Sequence, residues 1–506
     1  MTLPGPVSWI VLAPVIGVLA ILFVPKERTQ WIKMIGLAAV GVSLAFALFV
    51  AVSYDPAKAG YQFVDKYAWI PQLDISFHVG VDGINSVLLL LTALCSFAGV
   101  YSAQSIQKRV KEYFIFYLLL INGCFGVLSS LNVFFMYFFY ECAVVPVFPL
   151  IGVWGSGNKE YATMKLTLYL TLGAVLALLA ILAIYWVSDL KTFNFVVLEK
   201  VLGQNPLPLK FQQWAFPCIM LGFGVILTLW PFHSWSPMGY AAAPTSVSML
   251  HAGVLKKLGA YLIIRLGITL MPAGAEMWMP YVATLAVVNI VYCGLIAFRQ
   301  KDLKYILGYS SCSHMGFILL GLACMTPTAL TGTVYFMFAH GLMAALGFGL
   351  VGFIYDQTHT RELADWGGFG KKLPFIGTLF VMMAMASAGV PGFANFVGEM
   401  MILFGAWDRY PIHTILAVSG LVISAGYMLM TVRGAIQGAL PARWEKLKDA
   451  THAQKVPFLI LLAFLVAAGV LPSLLLPSIQ SATKPVLDRA NVIAAVVFSK
   501  EVPDVQ

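Results

Sequence analysis

Charge is the scarcest ingredient of this sequence: only 10% of its 506 residues are Asp, Glu, Lys or Arg, against 60% that are hydrophobic. A soluble core could not enclose so much apolar surface, so lipid must be the solvent. Paired-cysteine motifs are missing too. Cys95, Cys124, Cys142, Cys218, Cys293, Cys312 and Cys324 lie in or beside apolar stretches without a C-x-x-C pair. They read as small buried hydrophobes, and no metal-binding or cofactor-binding site is predicted in this chain. The first apolar run, Trp9 to Val24, has neither a basic leader nor an A-x-A-like site, so no cleavable signal peptide is predicted. The net charge of +9 comes from short loops between apolar runs, which is the mark of membrane topology and excludes a nucleic-acid groove.

What the sequence has in abundance is apolar runs long enough to cross a hydrocarbon core of about 30 Å. The predicted fold is an all-α integral membrane protein of about fourteen transmembrane helices. Their extents are 8–24, 32–53, 83–105, 112–130, 133–153, 163–187, 214–233, 245–267, 279–298, 303–323, 329–353, 374–407, 413–435 and 456–477. The span 374–407 is interrupted at Val390-Pro391-Gly392, and the helix ending at His233 runs into an irregular, proline-containing segment, 234–244. Each interruption falls in the fourth helix of a five-helix block. The predicted organisation is 1–110, a first repeat 111–267, an inverted second repeat 279–435, and 436–506 with the last helix and a tail. The stretch 478–506 is weakly apolar and is expected along the outer surface. Lysines and arginines crowd the loops after helices 1, 3, 5, 9, 11 and 13, so both termini are expected on the non-cytoplasmic side of a prokaryotic inner membrane.

Against this background the ionisable residues inside the spans stand out, because a charge at the bilayer centre costs at least ~2.5–3.5 kcal/mol. Glu141, Lys256, Lys257 and Glu399 are such residues, and His251, His314 and His340 also fall within spans. A structural hydrogen-bonding role accounts for a single histidine. Acid, lysine and histidine on successive helices match what a proton relay requires, since each site must change protonation at accessible cost. Broken helices fit the same reading, because unwound backbone at membrane depth needs protein or water to satisfy it.

Seven motifs in order carry a resemblance to a known family: GVDGI (80–84), YECAVVPVFPLIGVWG (140–155), HAGVLKKLGAY (251–261), KDLKYILGYSSCSHMGF (301–317), FAHGL, THTREL and PGFANFVGEMMIL. The chain resembles the antiporter-like membrane subunits of respiratory complex I, the NuoM type. The resemblance covers nearly the whole chain. It implies a proton-translocating membrane-arm subunit of NADH–quinone oxidoreductase, driven by quinone reduction elsewhere. NADH, FMN, iron–sulfur clusters and quinone are then expected in other subunits. The implied partners are lipid and NuoL- and NuoN-like sister subunits, packed laterally. By the same resemblance Glu141 modulates a first half-channel, Lys257 is the central lysine, His314 and His340 continue the axis, and Glu399 stands near the exit. Lys165 matches a basic position at the start of helix 6 or is a snorkelling lysine. The related alternatives are a Mrp-type cation/proton antiporter, a membrane-bound hydrogenase, or a partly structural spacer. Lysine and histidine in place of oxygen ligands favour protons over sodium.

The departures from the pattern are specific. The family's helix 7 lysine, four residues before Trp230 of Trp230-Pro231-Phe232-His233, falls on Ile226. The segment after His233 lacks the usual acid and histidine. Conversely, Lys256 stands where leucine is usual, and His251 where the sister NuoL type has a histidine. Two expectations follow: Lys256 or His251 supplies the missing charge, or the first half-channel is impaired.

Overall fold

The computed structural model describes residues 4–501. Helices α1 (Pro6–Phe23) and α2 (Thr29–Ser53) pack together. A feature the apolar pattern did not reveal follows them, an antiparallel hairpin of β1 (Gln62–Ile70) and β2 (Ile75–Val81) with Tyr67 opposite Phe77. Next come α3 (Gly83–Ser102), α4 (Val110–Ser129), then α5 (Val133–Val144) and α6 (Val147–Trp154), which form one span with a kink at Pro146. Helix α7 (Lys159–Val187) is a long span, and α8 (Phe195–Leu202) is a short surface helix.

The central block is less regular. Helices α9 (Leu209–Ile226) and α10 (Trp235–Ala242) are the two halves of an interrupted segment. The next span begins as α11 (Thr245–Leu250), passes through a π-helical turn (His251–Leu255), continues as α12 (Lys256–Leu262) and ends in a second π turn (Ile263–Ile268). Then follow α13 (Pro272–Arg299), α14 (Leu303–Cys324), α15 (Pro327–Thr358), the short α16 (Phe369–Lys372), the interrupted pair α17 (Pro374–Ser387) and α18 (Ala394–Trp407), α19 (Pro411–Ile436), α20 (His452–Val470) and α21 (Leu476–Glu501).

Local chemistry marks the ends of these helices. Asp82 and Asn85 form a reciprocal capping box at the start of α3, Asn132 caps α5, Asp302 caps α14, and Thr451 with Gln454 boxes α20. Proline opens α1, α13, α15, α17 and α19, where its missing N–H costs nothing. Among the described residues twelve helices are long and apolar enough to cross a membrane, and the two interrupted pairs lie beside them. In each block of five successive segments, 110–268 and 272–436, the interrupted one is fourth.

Two expectations need correction. The first interruption lies at 227–234, not at 234–244, which instead forms α10. Pro237 sits in the first turn of α10, where a helix tolerates it. The true break is held open from outside by Asn289 of α13. Its Oδ1 accepts the Trp230 N–H at 2.6 Å, and its Nδ2 donates to the carbonyls of Thr228 at 2.8 Å and Cys312 at 3.2 Å. The last apolar span ends at Val470 instead of 477, because Pro472 cannot continue it. Beyond it the weakly apolar tail is a 26-residue helix, α21, that packs across α3, α13 and α15.

The core sits around α3, α11–α12, α14 and α15, whose spans are almost wholly buried, whereas α2, α19 and α20 leave most of their surface outside. The two inner lysines are therefore screened on every side by other helices.

Candidate functional site

Small residues set the spacing at the centre. Gly253 in the first π turn and Gly341 on α15 meet backbone to backbone: a Cβ on Gly341 would lie 2.6 Å from the Gly253 carbonyl. That approach brings Lys257 of α12 to α15, where its Nζ lies 2.8 Å from Nδ1 of His340. The same ammonium donates to the carbonyl of Ala252, five residues back, an acceptor freed by the π turn.

From His340 the polar line continues to α14. The rings of His340 and His314 are 5.2 Å apart, centre to centre, and among the described residues Nε2 of His340 and Nδ1 of His314 have no hydrogen-bond partner. Nε2 of His314 lies 3.1 Å from the carbonyl of Ser387, at the end of α17, and 3.9 Å from Oε1 of Glu399 on α18. Both halves of the second interrupted segment thus converge on one imidazole. Glycine is required in this break. Gly389 has φ +68°, and a Cβ there would lie 2.4 Å from Oε2 of Glu399.

Lys257, His340, His314 and Glu399 are all buried, and they form one contiguous row. Glu141 does not join it. The carboxylate is half-buried and takes part in no ion pair among the described residues. It shares the outward face of its span with Phe138, Val145 and Phe148, which are 44%, 61% and 45% exposed.

The accessory residues gather at the first interruption. Lys256 is fully buried and points away from Lys257, with its Nζ 3.2 Å from Ser311 Oγ, 3.7 Å from Cys312 Sγ and 4.9 Å from the centre of the Tyr240 ring. His251 lies against Trp235 and Tyr240 at 5.4 and 5.2 Å, and among the described residues neither of its nitrogens has a partner. His233 is buried within the break, 5.7 Å from the Tyr292 ring, and its Nδ1 is also unpartnered. Lys165 reaches Met238 Sδ at 3.6 Å, between the rings of Tyr161 and Tyr169. Ile226, the last residue of α9, is buried against Gly259 of α12.

The fold also joins residues that the ionisable pattern did not single out. Asp82 accepts a hydrogen bond from Arg265 Nη2 at 2.6 Å, a buried ion pair flanked by Tyr261. Asp82 lies within the GVDGI motif, so its position was visible, but nothing local announces its partner. Next to Glu399, hydroxyls line up: the Tyr427 hydroxyl oxygen lies 2.8 Å from Ser310 Oγ and 3.2 Å from Ser424 Oγ, and Ser424 donates to the Ser387 carbonyl at 2.8 Å. Asn395, one turn before Glu399, is buried with both amide atoms unpartnered among the described residues.

Residues 130–424, which contain the whole row, match the family described as NADH:quinone oxidoreductase/Mrp antiporter, TM. The chain belongs to that family. Among its relatives, NADH-quinone oxidoreductase subunit M of Rickettsia felis is 32% identical over 93% of this chain and 96% of its own length. The subunit M of Rhodobacter capsulatus is 35% identical over 87% of this chain and 88% of its own. A chain of respiratory complex I from Thermus thermophilus shares the fold with a TM-score of 0.86 at 25% identity, covering 95% of this chain and 99% of that one. A chain of the Mrp complex from a Dietzia species has a TM-score of 0.83 at 20% identity, covering 98% of this chain and 100% of that one. Family membership agrees with the motif resemblance, and the protein is an integral membrane protein.

Proposed function

We propose that this chain is a proton-translocating membrane-arm subunit of an NADH–quinone oxidoreductase of the subunit M type. The observation that carries this reading is the buried row Lys257–His340–His314–Glu399, in which every member can gain or lose a proton. An ion held permanently in such surroundings pays a large desolvation cost, whereas a group that exchanges its proton with a neighbour does not. Lys257 hands its proton to His340 along the 2.8 Å contact. From His340 the proton passes to His314, whose ring stands 5.2 Å away, centre to centre. His314 then delivers the proton to Glu399, and the hydroxyls of Ser424, Tyr427 and Ser310 lead on from there.

The chain itself supplies no redox chemistry in this reading: NADH, FMN, iron–sulfur clusters and quinone belong to other subunits. The two five-segment blocks act as inverted repeats, odd in number and so oppositely oriented, which gives fourteen crossings in all. Both termini then face away from the cytoplasm. Glu141, on an outward apolar face, marks where a sister subunit packs laterally, because lipid would leave the carboxylate unsatisfied.

The fold likeness to the Mrp complex keeps a cation/proton antiporter in view. One experiment separates the readings. The tagged chain is purified in mild detergent with its partners, reconstituted into vesicles and supplied with NADH and quinone in sodium-free buffer. Co-purified NADH- and quinone-binding subunits and NADH-driven proton movement support the proposal. Proton movement that needs an imposed sodium gradient and ignores NADH overturns it.

A further inference from the structure

We propose that Lys256 is a proton-loading residue fed by its own inlet, which runs from the lysine- and arginine-rich face past Asp356, Lys304, Tyr240 and His251. The proposal rests on reading Lys257–His340–His314–Glu399 as the relay, and it replaces Glu141 and the position of Ile226 as the source of protons.

The inlet begins as open space. Cavities of about 950, 260 and 140 Å³ all have Ser105 and Asp356 in their walls. The largest also has Lys108, Arg109, Lys159 and His359 at its rim, on the face where basic residues concentrate. The smallest reaches inward to Lys304 and Ser246. The Lys304 ammonium, otherwise buried, donates to the carbonyl of Ala243 at 2.7 Å, where α10 ends.

One turn along α10 from that carbonyl stands Tyr240. Its hydroxyl and both nitrogens of the adjacent His251 are buried without a hydrogen-bond partner among the described residues. Buried polar atoms are almost always paired, so three orphaned atoms side by side call for exchangeable protons and water in contact with them. Lys256 closes the sequence. Its Nζ lies over the Tyr240 ring and against Ser311 and Cys312, and no carboxylate comes within ion-pair distance among the described residues. A buried ammonium with only a thiol, a hydroxyl and a ring around it has no fixed counter-charge to hold its proton.

Delivery to the relay is electrostatic. Lys256 and Lys257 are adjacent in sequence, and the step of about 100° between neighbours on a helix aims one at α14 and α10 and the other at α15. Two ammonium groups on neighbouring residues repel each other, so loading Lys256 favours passing the Lys257 proton to His340. The direction of transfer follows from the order of loading.

The test uses the assembled complex in sealed vesicles, with protons moved per NADH oxidised as the readout and NADH oxidation with a protonophore as the assembly control. Lys256→Met and Asp356→Asn are each expected to lower the ratio to the value given by Lys257→Met. A ratio that stays at wild type in both, while Lys257→Met lowers it, overturns the inlet and leaves the relay standing. A ratio unchanged in Lys257→Met overturns the relay itself. Should Lys256→Met fail to assemble, Ser105→Cys serves instead. Treatment with a bulky membrane-impermeant thiol reagent is expected to lower the ratio in that variant and not in treated wild type. Complete labelling without loss of pumping overturns the inlet.

Discussion

Lys257 and His340 come from different helices, 83 positions apart, and meet at 2.8 Å in the middle of the protein. Among the described residues neither has a carboxylate within ion-pair distance, so the contact joins two groups that compete for one proton. Lys257→Met removes the donor while keeping the volume of the side chain. Protons moved per NADH should fall, and NADH oxidation under a protonophore should persist. Lys257→Arg should fall as well, because guanidinium does not give up its proton in proteins.

Glu399 approaches His314 at 3.9 Å, and among the described residues neither of its oxygens has a hydrogen-bond partner. Glu399→Gln keeps the shape and removes the proton site. The expected result is loss of pumping with normal assembly, read by native gel and by proton uptake. Normal pumping in Glu399→Gln would place the exit elsewhere.

Gly341 permits the approach of α15 to the first π turn. In Gly341→Ala the new methyl would stand 2.6 Å from the Gly253 carbonyl, and backbone cannot yield as a flexible side chain does. Overpacking of this kind costs about 1–3 kcal/mol. A lower thermal stability of the purified complex is expected, together with reduced pumping, because the same shift pulls His340 from Lys257.

The Arg265–Asp82 pair is a structural counterpart of the relay, buried but fully engaged. Removing one partner of a buried pair leaves an uncompensated charge and costs about 3–5 kcal/mol. Asp82→Ala should therefore reduce the amount of assembled subunit sharply. Asp82→Ala combined with Arg265→Met should restore part of it, as measured by immunoblot of membranes.

His78, on the β hairpin outside the spans, is held at a pKa of about 4 instead of 6.5, first by desolvation and then by Lys66, with Asp74 opposing. Its neutral form is favoured in the folded hairpin. Below pH 6.5 the unfolded chain binds the extra proton, so hairpin stability should fall as pH drops from 6.5 towards 4. Hydrogen exchange of the β1–β2 amides checks this, and His78→Phe should flatten the pH dependence.

The sequence by itself determined the membrane setting, nearly every span, the second interruption and the candidate residues Lys257, His314, His340 and Glu399. These follow from composition, from apolar length, and from the cost of charge in lipid, all of which are local properties. The first interruption was legible only approximately. Proline shows that a helix must yield somewhere near, but the partner that satisfies the freed backbone is Asn289, a lone polar residue on another helix. Tertiary structure alone decided which residues meet. Lys256 and Lys257 are neighbours in the chain and so point to different sides of α12, but that α14 receives one and α15 the other is set by packing. Glu141, equally conspicuous in sequence, sits on an outward face. Helical periodicity tells which residues share a side, but which side meets which depends on packing between segments far apart in the chain, as where Gly253 admits Gly341.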